Sequence, residues 1–204
     1  MKIDYPTSTK KLIDYVVEKK LWYNITWNHE ARSCADAANK RNRLGNIGIP
    51  LCDELKSNIG YYFSNSEKKY LLIHCRGNQM IDDAKVNYLL DSEFIRLPQD
   101  ELSNLFNCEY GLVNPFYFSS EFPEINQLFD NSVLENFFPP YTLMTNAGDK
   151  NWGIEFKPIE LLNILQSKLV GDIIIKSIRA KLGDDFLGDL SFPTVIVKSM
   201  PEMG

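Results

Sequence analysis

Residues 59–74, which read IGYYFSNSEKKYLLIH, contain two short apolar runs on either side of a polar stretch. The runs are residues 59–63 and 70–74, and the stretch between them extends from Ser64 to Lys69. Aromatic and β-branched runs that are separated by a few polar residues are typical of two antiparallel strands joined by a turn. The segment therefore predicts a β-hairpin.

The sequence on both sides of this hairpin alternates between further strands and helices. Another hairpin is predicted from residues 141–145 and 152–156, and a short strand from residues 21–27. Helix signals occupy residues 7–20, the segment after Ser33, and residues 82–90, 98–106 and 158–169. Because hairpins outnumber βαβ crossovers, we expect an α+β fold: a mixed, largely antiparallel twisted sheet with helices packed around it.

The composition places the chain among ordinary globular proteins. It has 204 residues, of which 44% are apolar and 24% charged, enough for a sizeable core without disulfides or metals. No apolar run is long enough to span a membrane, and residues 1–6 lack the apolar core of a secretion signal. We therefore expect a cytoplasmic protein with no membrane partner.

Cysteine and histidine usage points away from metal and thiol chemistry. The four cysteines form no CxxC pair, which predicts neither a zinc site nor a redox motif. The two histidines, His29 and His74, belong to no known catalytic motif, and packing or surface roles are expected for both. We expect no cofactor and no metal.

The net charge of −5 is unevenly distributed. Residues 1–50 contain nine basic and five acidic side chains, whereas the remainder contains 13 basic and 22 acidic ones. Ser33-Cys34-Ala35-Asp36 resembles a capping box that opens a helix, which Gly45 can close. Lys40, Arg41 and Arg43 then fall in its last turn, where they either complement the helix dipole or contact an anionic partner.

Five short motifs follow one another along the chain. They are Ser33 to Ala38; Lys56-Ser57; Arg76 to Val86; Gly111 to Phe116, which has the form GxxxP; and Asn146-Ala147-Gly148 followed by residues 152–156 and Pro158. In this order and spacing, residues 8–170 resemble the YbaK family of aminoacyl-tRNA deacylases, which includes the editing domain of bacterial prolyl-tRNA synthetases. The resemblance implies a partly open barrel and the hydrolysis of a small, wrong amino acid from tRNA.

The resemblance also implies roles for particular residues. Lys56 would hold the substrate near its terminal phosphate, and the loop from Gly111 to Pro115 would position the carbonyl and water, assisted by a ribose hydroxyl of the tRNA. Candidate substrate-binding residues are Ser57, Arg76, Asn114, Asn146 and Gly148, and candidate tRNA-binding residues are Lys40, Arg41 and Arg43. The sequence departs from the family at Asn78, where an acid is common.

The sequence leaves two alternative functions possible and does not assign a role to one segment. A protein of the same fold could be a non-catalytic module that binds tRNA or a nucleotide for an attached domain, or an interaction domain without a small ligand. Residues 171–204 are expected to be a C-terminal extension, or the start of a further domain, beyond an editing domain formed by residues 1–170. An aminoacyl-tRNA synthetase or a fused domain is a further expected partner.

Overall fold

The computed structural model describes residues 3–135, 141–168 and 174–175. The helices are α1 (Thr7–Glu18), α2 (Cys34–Lys40), α3 (Asp83–Leu90), α4 (Gln99–Phe106), α5 (Pro115–Glu121) and α6 (Pro158–Lys168). The strands are β1 (Tyr23–Trp27), β2 (Asn42–Arg43), β3 (Asn46–Ile47), β4 (Leu55–Ser64), β5 (Glu67–Arg76), β6 (Ile95–Arg96), β7 (Asn126–Phe129), β8 (Leu143–Asp149), β9 (Trp152–Phe156) and β10 (Ile174–Ile175).

The predicted hairpin forms the centre of a five-stranded sheet with the order β10-β7-β5-β4-β6. Strands β4 and β5 are antiparallel, and the turn between them is Asn65-Ser66, with φ angles of 51° and 66°. Two positive φ values in a two-residue loop match the twist of the strands that it joins. Strand β7 runs parallel to β5, and β10 runs parallel to β7. The sheet is therefore mixed, as expected.

A second sheet contains β1, β9 and β8, all antiparallel. A single parallel bridge between Glu54 and Met144 joins the start of β4 to β8. Helices α1 and α6 cover one face of this sheet through a core that includes Leu12, Phe156 and Leu162. The described strands close into no barrel, and the α+β prediction of a twisted sheet covered by helices is confirmed.

Side-chain caps fix several helix starts that the sequence predicts. Ser33 Oγ accepts a hydrogen bond from the Asp36 N–H at 3.1 Å, and Asp82 caps α3 in the same way. The prediction that α2 extends toward Gly45 is wrong, because the helix ends at Lys40 and Arg41 is extended (φ −60°, ψ 145°).

The predicted domain boundary near residue 170 lies outside the described residues. Of the segment 171–204, the structure describes residues 174–175, which pair with Leu128 and Phe129 of β7. No helix among the described residues is both long and apolar enough to cross a membrane.

Candidate functional site

The loop of residues 111–115, which we call the GxxxP loop, is anchored by Asn114. This residue is fully buried and caps α5, since its Oδ1 accepts from the Tyr117 N–H at 2.9 Å. Its Nδ2 donates to the Leu112 carbonyl at 3.1 Å and to Asn146 Oδ1 at 2.9 Å. Pro115 occupies the first helical position, where no backbone N–H is needed. The loop therefore has a fixed exit into α5.

Asn146 of β8 holds the same loop from the other side. Its Nδ2 donates to the Val113 carbonyl at 3.3 Å, and its Oδ1 accepts from the Gly148 N–H at 3.0 Å. Gly148 has a φ of +80° at the irregularity in β8, a conformation that favours glycine. The structure thus brings together Asn114, Asn146 and Gly148, and both asparagine amides are engaged in shaping the loop.

Gly111 has an exposed position in this loop, and the fold does not require glycine there. Its φ is outside the left-handed region, and a Cβ atom would meet no other atom within 4 Å. By contrast, a Cβ on Gly60 would lie 2.4 Å from the Ile95 carbonyl oxygen. The small residue at position 111 therefore leaves open space next to an anchored backbone.

Lys56 lies on β4 opposite Cys75, with a half-buried side chain. Its ammonium group donates to the backbone carbonyl of Gln79. Its charge also opposes the burial that raises the pKa of the Cys34 thiol at the start of α2. A positive charge is thus placed between β5, α2 and the loop after β5.

A bridge between the two sheets relates the strand that carries Lys56 to the strand that carries Asn146. Glu54 pairs with Met144 in parallel, so Lys56 and Asn146 are each two residues further along and share the respective strand faces. The Glu54 carboxylate binds Arg41 at the end of α2, and Met144 packs on Ala38 within α2. Both faces therefore look toward α2.

Ser57 faces the opposite side of β4 and begins a hydrogen-bonded chain. Its Oγ lies 2.8 Å from His74 Nδ1, and His74 Nε2 lies 3.0 Å from Gln127 Oε1. Gln127 Nε2 in turn donates to the Pro115 carbonyl at 3.3 Å. His74 is fully buried and stacks on Phe129 with 4.3 Å between ring centroids. The chain connects β4 to the end of the GxxxP loop.

Burial lowers the pKa of the His74 imidazole. The pKa changes from 6.5 to about 3, although the hydrogen bond to Gln127 opposes this shift. Of the packed and surface positions expected for His74, the structure shows the packed one, and the ring is neutral at physiological pH.

This lowered pKa predicts a loss of stability in acid. An unfolded histidine takes up a proton below about pH 6.5, whereas folded His74 stays neutral until about pH 3. The free energy of unfolding should fall between these values, at up to about 1.4 kcal/mol per pH unit. Urea unfolding at several pH values should show a steeper fall for the native protein than for His74→Gln. The exposed His29 provides the control, since His29→Gln should keep the native slope, and equal slopes for all three would contradict the prediction.

The structure does not leave the predicted tRNA-binding arginines at the surface. Arg41 is 4% exposed and forms two hydrogen bonds to the Glu54 carboxylate, of 2.8 and 3.2 Å. Arg43 lies 2.5 Å from an Asp53 carboxylate oxygen and 2.8 Å from one of Glu155. These guanidinium groups join the ends of α2 and β2 to the two sheets.

Of the three predicted tRNA-binding residues, Lys40 is the one that reaches the surface. It pairs with Asp36 at 2.8 Å and donates to the Glu30 carbonyl at 2.7 Å. A shallow surface pocket lies here, lined by Glu30, Arg32, Asp36 and Lys40. Neither Lys56 nor the GxxxP loop lines this pocket.

Arg76 also has structural partners in place of an open site. It is 4% exposed and donates to the backbone carbonyls of Cys52, Ser132 and Glu135. The Arg76 guanidinium therefore holds two segments together, the turn at residues 51–53 and the turn at residues 131–135. Among the described residues, no group of three or more His, Cys, Asp or Glu side chains could hold a metal ion.

Comparison with known proteins supports the fold. No protein-family model and no curated protein matches the sequence. Among solved structures, the hypothetical protein APE2540 is similar with a TM-score of 0.64 at 16% identity, over 83% of this chain and 99% of that one. A protein described as a "putative trans-editing enzyme for prolyl tRNA synthetase" has a TM-score of 0.64 at 14% identity, over 87% and 99% of the two chains.

A third similar structure shows this fold within a longer chain. It is described as a "Putative signal transduction protein" from Marinobacter aquaeolei VT8, with a TM-score of 0.53 at 14% identity. The match covers 86% of this chain and 31% of that one. At these identities the similarities establish a shared α+β fold.

Proposed function

We propose that this protein is an aminoacyl-tRNA deacylase that hydrolyses the ester of a tRNA mischarged with a small amino acid. The observation that carries the proposal is the anchored GxxxP loop with its unobstructed Gly111. Asn146 of β8 holds this loop, and β8 is bridged to the start of β4 two residues before Lys56. The fold shared with a structure described as a trans-editing enzyme supports the same assignment.

The geometry suits ester hydrolysis. When water adds to the ester carbonyl, negative charge develops on the carbonyl oxygen, and fixed backbone N–H groups can stabilise it. A loop held by Asn114 and Asn146 keeps its backbone in place without reorganisation during the reaction. The products are the free amino acid and a tRNA with an intact terminal hydroxyl.

Lys56 suits the phosphate of the terminal nucleotide. A lysine ammonium is a compact charge that binds phosphate without the bidentate geometry of arginine. In the described structure this group is held by a neutral carbonyl, that of Gln79, and a substrate phosphate would replace a neutral acceptor by a charged one.

The direct test is a deacylation assay with a panel of mischarged tRNAs, including Ala-tRNA(Pro) and Cys-tRNA(Pro), alongside Pro-tRNA(Pro). We expect release of a small amino acid well above the spontaneous rate and slower release of the larger, correct one. Each methylene in a pocket changes the transition-state energy by about 1–3 kcal/mol. Release at the spontaneous rate from every tRNA would contradict the proposal, and tight tRNA binding in that case would indicate the non-catalytic binding module.

Gly111→Ala is expected to lower the deacylase activity without lowering the stability of the protein. The added methyl group meets no protein atom within 4 Å, so the thermal unfolding midpoint should stay within about 2 °C of the native value. The same methyl group would obstruct a substrate that lies against the loop backbone, so kcat/KM should fall by about tenfold or more. Unchanged deacylation kinetics for Gly111→Ala would remove the loop from the site.

The surface that binds the tRNA body needs a different candidate from Arg41 and Arg43. A triple change of Lys40, Arg41 and Arg43 to glutamate would place new carboxylates beside Glu54 and Glu155, so weaker tRNA binding could follow from misfolding alone. We propose Lys40 as the residue of this group that reaches tRNA. Lys40→Glu should weaken tRNA binding while the unfolding midpoint is retained.

A further inference from the structure

The orientation of the Gln127 side chain fixes the hydrogen positions in the chain from Ser57 to Pro115. The Pro115 carbonyl can only accept, so the Gln127 atom 3.3 Å from it must be the amide nitrogen. That nitrogen also donates to Ser119 Oγ at 2.9 Å, while Ser119 Oγ donates to the Pro115 carbonyl at 2.6 Å. The amide oxygen of Gln127 is therefore the atom that faces His74.

This orientation determines the tautomer of His74. Because Gln127 Oε1 accepts, His74 Nε2 carries the hydrogen, and the neutral ring has an unprotonated Nδ1. The Ser57 hydroxyl, 2.8 Å from Nδ1, must then donate its hydrogen to the ring. Ser57 Oγ can therefore only accept further hydrogen bonds, through its lone pairs.

We infer that His74 and Gln127 are positioning residues that make Ser57 Oγ a pure hydrogen-bond acceptor for a donor at the aminoacyl end of the substrate. The ligand in this inference rests on the proposed function, whereas the hydrogen positions rest on the structure alone. Ser57 is half-buried on β4, and the chain that orients it ends at Pro115 of the GxxxP loop. Two donors of the substrate suit such an acceptor: the α-ammonium of the amino acid and a ribose hydroxyl.

The same geometry argues against Ser57 as a nucleophile. A nucleophilic serine needs a base that can accept its proton, and an imidazolium at position 74 would be buried between Ser57 on β4 and Gln127 and Phe129 on β7. None of these three side chains carries a charge that would stabilise it. We therefore expect no acyl-enzyme on Ser57, and water adds directly to the ester.

The hydrogen positions can be tested by nuclear magnetic resonance without any substrate. His29→Gln leaves His74 as the single histidine of the chain. Nitrogen-15 shifts should show the tautomer protonated at Nε2 and no titration from about pH 8 to about pH 5. A ring protonated at Nδ1, or a titration near the ordinary histidine value, would overturn the inference.

The role of Ser57 is tested with a non-hydrolysable analogue, in which an amide replaces the ester of a 3′-alanyl-adenosine. We expect Ser57→Ala to raise the Kd by about ten- to a hundredfold and Ser57→Thr to restore it to within about threefold. Two further analogues, one without the ammonium and one without the ribose hydroxyl, identify the donor. If an analogue binds the native protein and Ser57→Ala with the same Kd, the group that it lacks is the donor to Ser57. Equal Kd values for Ser57→Ala and the native protein would overturn the inference, even if the deacylase activity is found. If no mischarged tRNA is hydrolysed but Ser57→Ala still weakens analogue binding, the inference stands and the proposed activity fails.

Discussion

Lys56→Ala is expected to slow deacylation of a mischarged tRNA by about 10²–10³-fold, with the overall fold retained. The change removes the ammonium that is placed between β5, α2 and the loop at Gln79. Because the side chain is only half-buried and its partner is a neutral carbonyl, the cost to folding should be small. Single-turnover kinetics with saturating enzyme would separate the loss of chemistry from the loss of binding.

Lys69→Ala is the matched control for this experiment. Lys69 lies near the turn of the same hairpin, is exposed, and pairs with Glu67. It should deacylate at the native rate. An equal effect of both substitutions would show that net charge, and not a defined phosphate contact, explains the role of Lys56.

Glu54→Gln is expected to lower the free energy of unfolding by about 3–5 kcal/mol. The glutamine keeps the volume but not the charge, which leaves the Arg41 guanidinium buried with Asn28 Oδ1 as its remaining described side-chain acceptor, at 2.7 Å. Burial raises the pKa of the Glu54 carboxyl, and Arg41 opposes this shift by favouring the charged form. The measurement is urea unfolding followed by circular dichroism.

Glu67→Gln serves as the comparison, since its partner Lys69 is exposed and such surface pairs contribute little. It should unfold at nearly the native urea concentration. A Glu54→Gln protein as stable as Glu67→Gln would show that the ion pair between α2 and β4 does not hold the two elements together.

The hairpin and its neighbours could be predicted from sequence because their signals are local. Apolar runs, capping side chains such as Ser33 and Asp82, and prolines at helix starts act within a few residues of the chain. The relation between the two sheets could not be predicted in this way. It depends on a core that both sheets share and on the parallel bridge between Glu54 and Met144, which joins residues 90 positions apart and leaves no periodic pattern.

The basic cluster illustrates why a local pattern can mislead. Lys40, Arg41 and Arg43 are close in sequence, and a continued helix would have placed them in one exposed turn. The chain leaves the helix at Arg41, so the two arginines turn inward to carboxylates at positions 53, 54 and 155. Those partners come from distant segments, and their proximity is a property of the tertiary structure.

The contact between His74 and Ser57 could have been predicted from the sequence if the register of the hairpin had been specified. If the turn is placed at Asn65-Ser66, counting back along both strands pairs Ser57 with His74. A polar segment of six residues allows more than one register, so the hydrogen bond between the two side chains could not be predicted. The contribution of Gln127 needs the parallel pairing of β7 with β5, which only the fold supplies.

We propose that one substrate contacts both Lys56 and the GxxxP loop. A crystal structure of the protein with the 3′-alanylamido-adenosine analogue, extended by the preceding nucleotide and its phosphate, tests this claim directly. The claim predicts the phosphate within about 3 Å of Lys56 Nζ, and the acyl group at similar distances from the backbone beside Gly111. An analogue seated in the surface pocket at Glu30 and Lys40, or touching only one of the two elements, would contradict it.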